Sequence, residues 1–211
     1  MSSSCSIEKG DMDLQKKVMN DVFESIVDSI HTDYRIPLAP PPPYPDETEK
    51  NDSTQEDYKF NRALWVKEYH NKLDSIRLDS SKLKIAISDT ISDIRKRYLF
   101  EELESLKTNL NDWDTSSTHS DYRIDLLNFE ESEFFRFVYR SDLPADRINW
   151  YEFEVFELIG FSTIVFDKSK TQGVLSVWTS CGRLCGSGFL VFIKKKKDNW
   201  LVDEIKLTSI S

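Results

Sequence analysis

The chain has 211 residues, of which 39% are hydrophobic, 12% aromatic and 31% charged, enough for one medium domain with a real core or for two very small ones. No apolar run approaches the roughly 20 residues that cross a bilayer as a helix. A formal charge of −9 argues against a nucleic-acid binder driven by phosphate neutralisation.

The acid is concentrated at one end. Residues 1–57 hold five Lys or Arg against 13 Asp or Glu, and the remainder is close to balanced. Between Leu14 and Ile30 the apolar residues Leu14, Val18, Met19, Val22, Phe23, Ile26, Val27 and Ile30 recur at spacings of three and four, with Lys16, Lys17, Asn20, Asp21, Glu24 and Asp28 between them. That period predicts an amphipathic helix whose stripe packs on a core. Six of the seven prolines follow in Pro37–Pro45, with Pro40 to Pro43 contiguous, and predict a stiff polyproline II spacer. Residues 46–57 carry Asp46, Glu47, Glu49 and Asp52 with almost nothing to bury, which extends the spacer into an acidic linker.

A second helix is expected from near Asp57 through Phe60, Leu64, Trp65, Tyr69 and Leu73, then a short strand over Leu83–Ile91, then a third helix from about Ile94 to Leu106. After a polar loop at Asp112–Asp121 the pattern changes to alternation. Phe135, Phe137 and Tyr139 form one such run, and Tyr151, Phe153 and Val155 another. Four β-rich runs follow at Phe161–Phe166, Val174–Thr179, Phe189–Ile193 and Trp200–Leu207, joined by short turn-like connectors. The fold class is therefore α+β, with N-terminal amphipathic helices packed on a C-terminal antiparallel β-meander from about Phe134 to Leu207. The organisation expected is an N-terminal segment 1–36, a Pro-rich acidic linker 37–57 and an α+β domain 58–211. Trp65, Trp150, Trp178 and Trp200 read as core or face-packing aromatics.

The most informative segment is Ser180–Gly188, where Cys181, Gly182, Cys185, Gly186 and Gly188 fall where two strands must be joined. The glycines are expected to supply positive φ values in a loop. The cysteines either close a small disulfide ring or, in a reducing compartment, stay as free thiols. A zinc site lacks ligands, because His31, His70 and His119 are scattered far upstream with no ligand spacing. Neither a Cys-x-x-Cys redox centre, a Gly-x-Ser-x-Gly nucleophile elbow around Ser187, nor a phosphate loop fits the spacing and strand context. Lys194–Lys197 reads as a solvated hairpin tip, and Glu152 with Glu154, like Glu130, Glu131 and Glu133, as a wet face. No catalytic residue, cofactor or metal is assigned.

Cys5 stands alone after Met1-Ser2-Ser3-Ser4. Read literally, no charged start and apolar stretch precede it, which describes a cytoplasmic protein with a free Cys5. However, Ser3-Ser4-Cys5-Ser6 followed by Ile7-Glu8-Lys9-Gly10-Asp11 resembles the cleavage region and mature start of a bacterial lipoprotein, in particular those of Bacteroidetes. A wider resemblance covers Ile26–Arg35, the Pro run, Tyr139-Arg140-Ser141-Asp142-Leu143-Pro144, Cys181-Gly182-Arg183-Leu184-Cys185-Gly186, Trp200 and the final Ile210-Ser211. These are similar to uncharacterised Bacteroidetes proteins that end in a Cys-Gly-x-Leu-Cys-Gly turn, a Lys-rich hairpin and a Trp-bearing last strand. That resemblance implies compartment and domain organisation only; the function expected beside it is that of a non-enzymatic envelope protein, lipid-anchored through Cys5, with Cys181 and Cys185 disulfide-bonded. It would bind or assemble with an unidentified protein or envelope partner, touching the membrane only through the lipid. Two alternatives stand beside it: an enzyme with a cleft site using a Cys181 or Cys185 thiolate, and a cytoplasmic protein with reduced cysteines.

Overall fold

A computed structural model describes residues 4–31, 33, 35–36, 39–40, 53–91, 101, 103, 113–114, 121–146, 150, 152–182 and 185–210. The chain divides into two compact units, one of Met1–His31 with Leu83–Ser211 and one of Thr32–Lys82. Helix and sheet are both present, as the α+β expectation required.

The first unit holds helix α1 (Ser4–Ile30) and strands β1 (Leu83–Ile87), β2 (Phe135–Tyr139), β3 (Val155–Phe161), β4 (Val165–Phe166), β5 (Gln172–Gly182), β6 (Cys185–Lys196) and β7 (Asn199–Ile210). The helix begins ten residues before Leu14, so Cys5 lies within its backbone. The strands form one sheet in the order β2-β1-β3-β5-β6-β7, with β4 paired to β5. The run from β3 through β5, β6 and β7 is antiparallel. The expected meander does not extend to β2, because β1 lies between β2 and β3 and is parallel to both. Alternation tells which face a residue takes and is blind to which strand lies beside it. A parallel neighbour needs a long crossover, and residues 88–134 supply one.

Each face of the sheet has its own cover. Ile85 and Ile87 of β1, Leu175 and Val177 of β5, and Val191 and Ile193 of β6 share a core with Val18, Met19, Val22, Phe23, Ile26 and Val27 of α1. The predicted stripe is thus the buried side of the helix. Phe23 is its centre, with ring centroids 4.4 Å from Phe129, 4.9 Å from Phe137 and 5.4 Å from Phe161. One polar residue sits in this stripe. Gln15 is fully buried, and its amide is satisfied twice by one residue: Nε2 donates to the Ile164 carbonyl at 2.6 Å and Oε1 accepts from the Ile164 N–H at 2.9 Å.

On the opposite face, Leu143, Trp150 and Val155 cluster with Ala86, with Val138 and Leu158 against them. Leu103 and Trp113 cluster with Val165, Val174 and Leu190. Glu152–Glu154 do not form the expected strand, and Tyr151 lies outside the described residues. Trp150, Glu152 and Phe153 are in 3-10 geometry, Glu154 takes a φ of 58°, and β3 starts only at Val155. The reason is local: Trp150 is buried with its Nε1 donating to the Pro144 carbonyl at 2.8 Å, so the chain turns inward to seat the indole. Glu101 and Leu103 are helical, but the rest of the third predicted helix, most of the 112–121 loop, and Pro37 with Pro41–Pro45 lie outside the described residues. In the second unit α2 (Ser53–Arg77) starts four residues before Asp57, and Arg35 pairs with Asp33 at 2.9 Å and Asp79 at 3.1 Å.

The turn between β4 and β5 is organised by one carboxylate. Asp167 accepts from the Thr171 and Gln172 N–H groups, each at 2.7 Å, and from the Ser169 and Thr171 hydroxyls. Partial burial opposes its charge, but these bonds outweigh burial and hold the carboxyl below its ordinary 3.8.

Two predictions follow from this packing. Phe23→Ala removes the ring on which three others converge and is expected to cost about 3–5 kcal/mol in urea denaturation. For Asp167 the depressed native pKa means its stabilisation is complete above 3.8 and lost as pH falls toward the native value. Asp167→Asn is therefore expected to lower stability at neutral pH and narrow its gap to the parent chain as melts are taken at successively lower pH below about 4; a gap constant with pH counts against this role.

Candidate functional site

The segment singled out in the sequence sits at one end of the long β5–β6 hairpin. It is strand for most of its length: β5 runs to Gly182, β6 starts at Cys185, and Gly182 pairs with Cys185. Cys181 and Cys185 form a disulfide, with their Cα atoms 5.2 Å apart, so the hairpin tip is covalently closed.

The glycines there serve a different purpose from the one expected. No described glycine has a positive φ; the positive values belong to Glu154, Lys170 and Lys197. Gly188 is needed for close approach instead. A Cβ on Gly188 would lie 2.6 Å from the Ser209 hydroxyl oxygen, and one on Gly160 of β3 would lie 2.2 Å from Cε2 of Trp178. Trp178 of β5 has Gly160 as its neighbour on β3 and Gly188 as its neighbour on β6. The indole therefore lies over Gly160, while the space beside Gly188 is taken by Ser209.

Trp178 and Trp65 were read as core or face-packing aromatics, and neither lies in the core. Trp150 and Trp200 are 2% exposed, whereas Trp178 is 41% and Trp65 46% exposed. For Trp178 the cause is topological. Leu143 and Trp150 cover one part of this sheet face and Leu103 and Trp113 another, and Trp178 belongs to neither cluster. Beside it is a cleft of about 310 Å³ lined by Trp178, Ser180, Gly186, Ser187, Gly188 and Ser209, with Cys185 and Gly182 at the tip. Ser187 and Ser209 make no hydrogen bond through their side chains to any described residue. None of the described lining residues carries an ionisable group.

A second polar site lies at the end of α1. His31, just past α1, places Nδ1 2.7 Å from Oε2 of Glu157 on β3, and the two side chains are only 7% and 8% exposed. Phe135 meets the imidazole edge to face at 5.5 Å. The two residues are 126 positions apart; the one available hint was an acid inside the apolar run Val155–Phe161. Nε2 is buried without a partner among the described residues, and no described nucleophile is hydrogen-bonded to it. The pair ties the end of α1 to the sheet.

The remaining predicted groups stay on the surface. Glu152 and Glu154 are exposed and lie in a turn, while Glu130, Glu131 and Glu133 occupy the connection between a 3-10 turn and β2. Lys194–Lys197 is exposed at the β6–β7 turn, where Lys194 pairs with Asp203. Among the described residues no group of three or more His, Cys, Asp or Glu is placed to hold a metal ion, and no described helix is long and apolar enough to cross a membrane. No family model, curated protein or solved structure matches this chain.

Glu157→Ala removes the hydrogen-bond partner of the buried imidazole and is expected to cost about 1–3 kcal/mol by urea denaturation. A change well under 1 kcal/mol would mean that the pair is open to water and holds nothing in place.

Proposed function

We propose that this protein is a non-enzymatic binding or assembly module of the bacterial envelope, anchored by a lipid on Cys5, that presents the closed end of the β5–β6 hairpin to its partner. The observation that carries this reading is the Cys181–Cys185 disulfide at a hairpin tip beside an open cleft whose described lining residues carry no charge. Disulfides persist in oxidising compartments, among them the periplasm and the cell surface, and the resemblance of residues 3–11 to a lipoprotein start agrees with that placement. In this reading the N-terminal amphipathic helices and the C-terminal antiparallel meander are the scaffold. With its ends stapled, the hairpin loses less conformational freedom on binding.

The same pairing bears on the enzyme alternative. Each sulfur is held by the other, so thiolate chemistry at Cys181 or Cys185 requires reduction of the pair first.

Intact mass of the protein from its native host, taken without reductant, is expected to carry a lipid adduct on Cys5 and to lack the paired thiol hydrogens of Cys181 and Cys185. An unmodified, fully reduced mass beginning at Met1 would refute the envelope placement.

A further inference from the structure

We infer that the end of the sheet opposite the disulfide is a docking surface for an anionic phospholipid membrane, built from the lysines of two adjoining turns. The inference rests on the envelope reading and supplies the orientation in which the anchored chain stands.

Two separate turns bring lysine to one place. Lys168 and Lys170 belong to the β4–β5 turn, Lys194 to Lys197 to the end of β6 and the β6–β7 turn, and all six are exposed. The turns are fastened to each other: the Lys195 N–H donates to the Thr171 carbonyl at 2.8 Å, and Gln172 pairs with Lys194. Lys168, Lys195, Lys196 and Lys197 make no ion pair or side-chain hydrogen bond to a described residue. The acids near them are engaged: Asp11 with Lys170, Asp203 with Lys194, Asp21 with the Trp200 N–H, Asp167 within its own turn and Asp114 with a partner of its own. Asp198, in the turn itself, is the exception.

Backbone strain marks the same place. Lys170 and Lys197 take φ values of 54° and 59°, in the left-handed region where glycine or asparagine is the easier residue. Glycine at Lys197 would relax the hairpin turn; lysine there keeps an ammonium group at the apex at a cost to the fold. Guarding a free sheet edge is the ordinary use of lysine at such positions, but the free edge here is β7, and β5 and β6 lie inside the sheet.

The position of Cys5 selects a membrane among polyanions. Helix α1 runs from His31, against Glu157 near the start of β3, to Asp11, against Lys170. Its backbone continues from Asp11 to Cys5, about 9 Å at the rise of a helix, so a lipid on Cys5 leaves from the lysine end. A lipid tether holds a chain at the bilayer without fixing its tilt; ammonium groups beside the tether, drawn to anionic headgroups, do fix it. The 11 residues of β5 then carry the closed Cys181–Cys185 tip roughly 33 Å away from the headgroups, where a partner can reach it.

The test uses the full chain without lipid, sedimented at low salt with vesicles of phosphatidylcholine alone and of equal parts phosphatidylcholine and phosphatidylglycerol. Binding to the anionic vesicles is expected to exceed that to the neutral ones by at least about tenfold and to fade at high salt. Lys168→Gln, Lys195→Gln, Lys196→Gln and Lys197→Gln together are expected to bring it down to the neutral level. Lys16→Gln, Lys67→Gln, Lys72→Gln and Lys82→Gln together, which remove the same charge elsewhere, are expected to leave it within about threefold. Unchanged urea midpoints in both variants separate lost binding from lost folding. Equal binding to the two vesicles, equal losses in the two variants, or displacement from the vesicles by soluble polyphosphate at equal phosphate concentration overturns the inference. A native mass that carries the Cys5 lipid while anionic vesicles are ignored leaves the anchored module and removes this surface. A native mass without the lipid removes the anchor, and with it the choice of a membrane.

Discussion

The structure depends on burial of the α1 stripe against one face of the sheet. Without the helix, Leu175, Val177, Val191 and Ile193 would face water across adjoining strands, and an open sheet with one bare apolar face is not stable alone. The Gln15–Ile164 hydrogen bonds set where along the face the helix sits. A stripe of aliphatic side chains tolerates sliding, but a buried amide that must find both an N–H and a C=O does not. His31 with Glu157 fixes the other end, so the helix is held at two polar points with the aromatic cluster around Phe23 between them.

That arrangement leaves one part of the sheet without cover. Helix α1 takes one face of the sheet. The other is covered in two separate patches, by Leu143 with Trp150 and by Leu103 with Trp113. Trp178 stands outside both, next to a hairpin end that is made of small residues and locked by a disulfide. A rigid scaffold with a small uncovered region at the end of its longest strands is a suitable platform for recognition.

The parts legible in the sequence were those governed by short periods. The spacing of Val18, Val22, Phe23 and Ile26 specifies a helix and its buried side, and the alternation in Phe135–Tyr139 specifies a strand whichever strand lies next to it. Neighbours are a different matter. The insertion of β1 between β2 and β3 pairs residues 52 positions apart on one side and more than 70 apart on the other, and the His31–Glu157 pair spans 126; no local window contains both members. The cysteines were legible as a possible pair because they are close in sequence. The glycines were misread because their freedom at positive φ is the familiar reason for their presence, whereas here the reason is the missing side chain. For Trp178 the sequence left core and face-packing both open, and only the whole sheet reveals that it lies on the face over Gly160.

The bonds of Gln15 to Ile164 bridge 149 positions, and this sets an order of events during synthesis. The helix that completes the core leaves the ribosome first, while the strands that receive it, β3 to β7, come last. Its apolar stripe must therefore wait, exposed or shielded by other factors, until nearly the whole chain has been made. The unit formed by Thr32–Lys82 emerges in the interval and has only local contacts to make. Folding of the larger unit is accordingly a late, end-to-end closure, and a chain halted before β5 lacks Leu175, Val177, Val191 and Ile193, the part of the apolar face that its first helix covers.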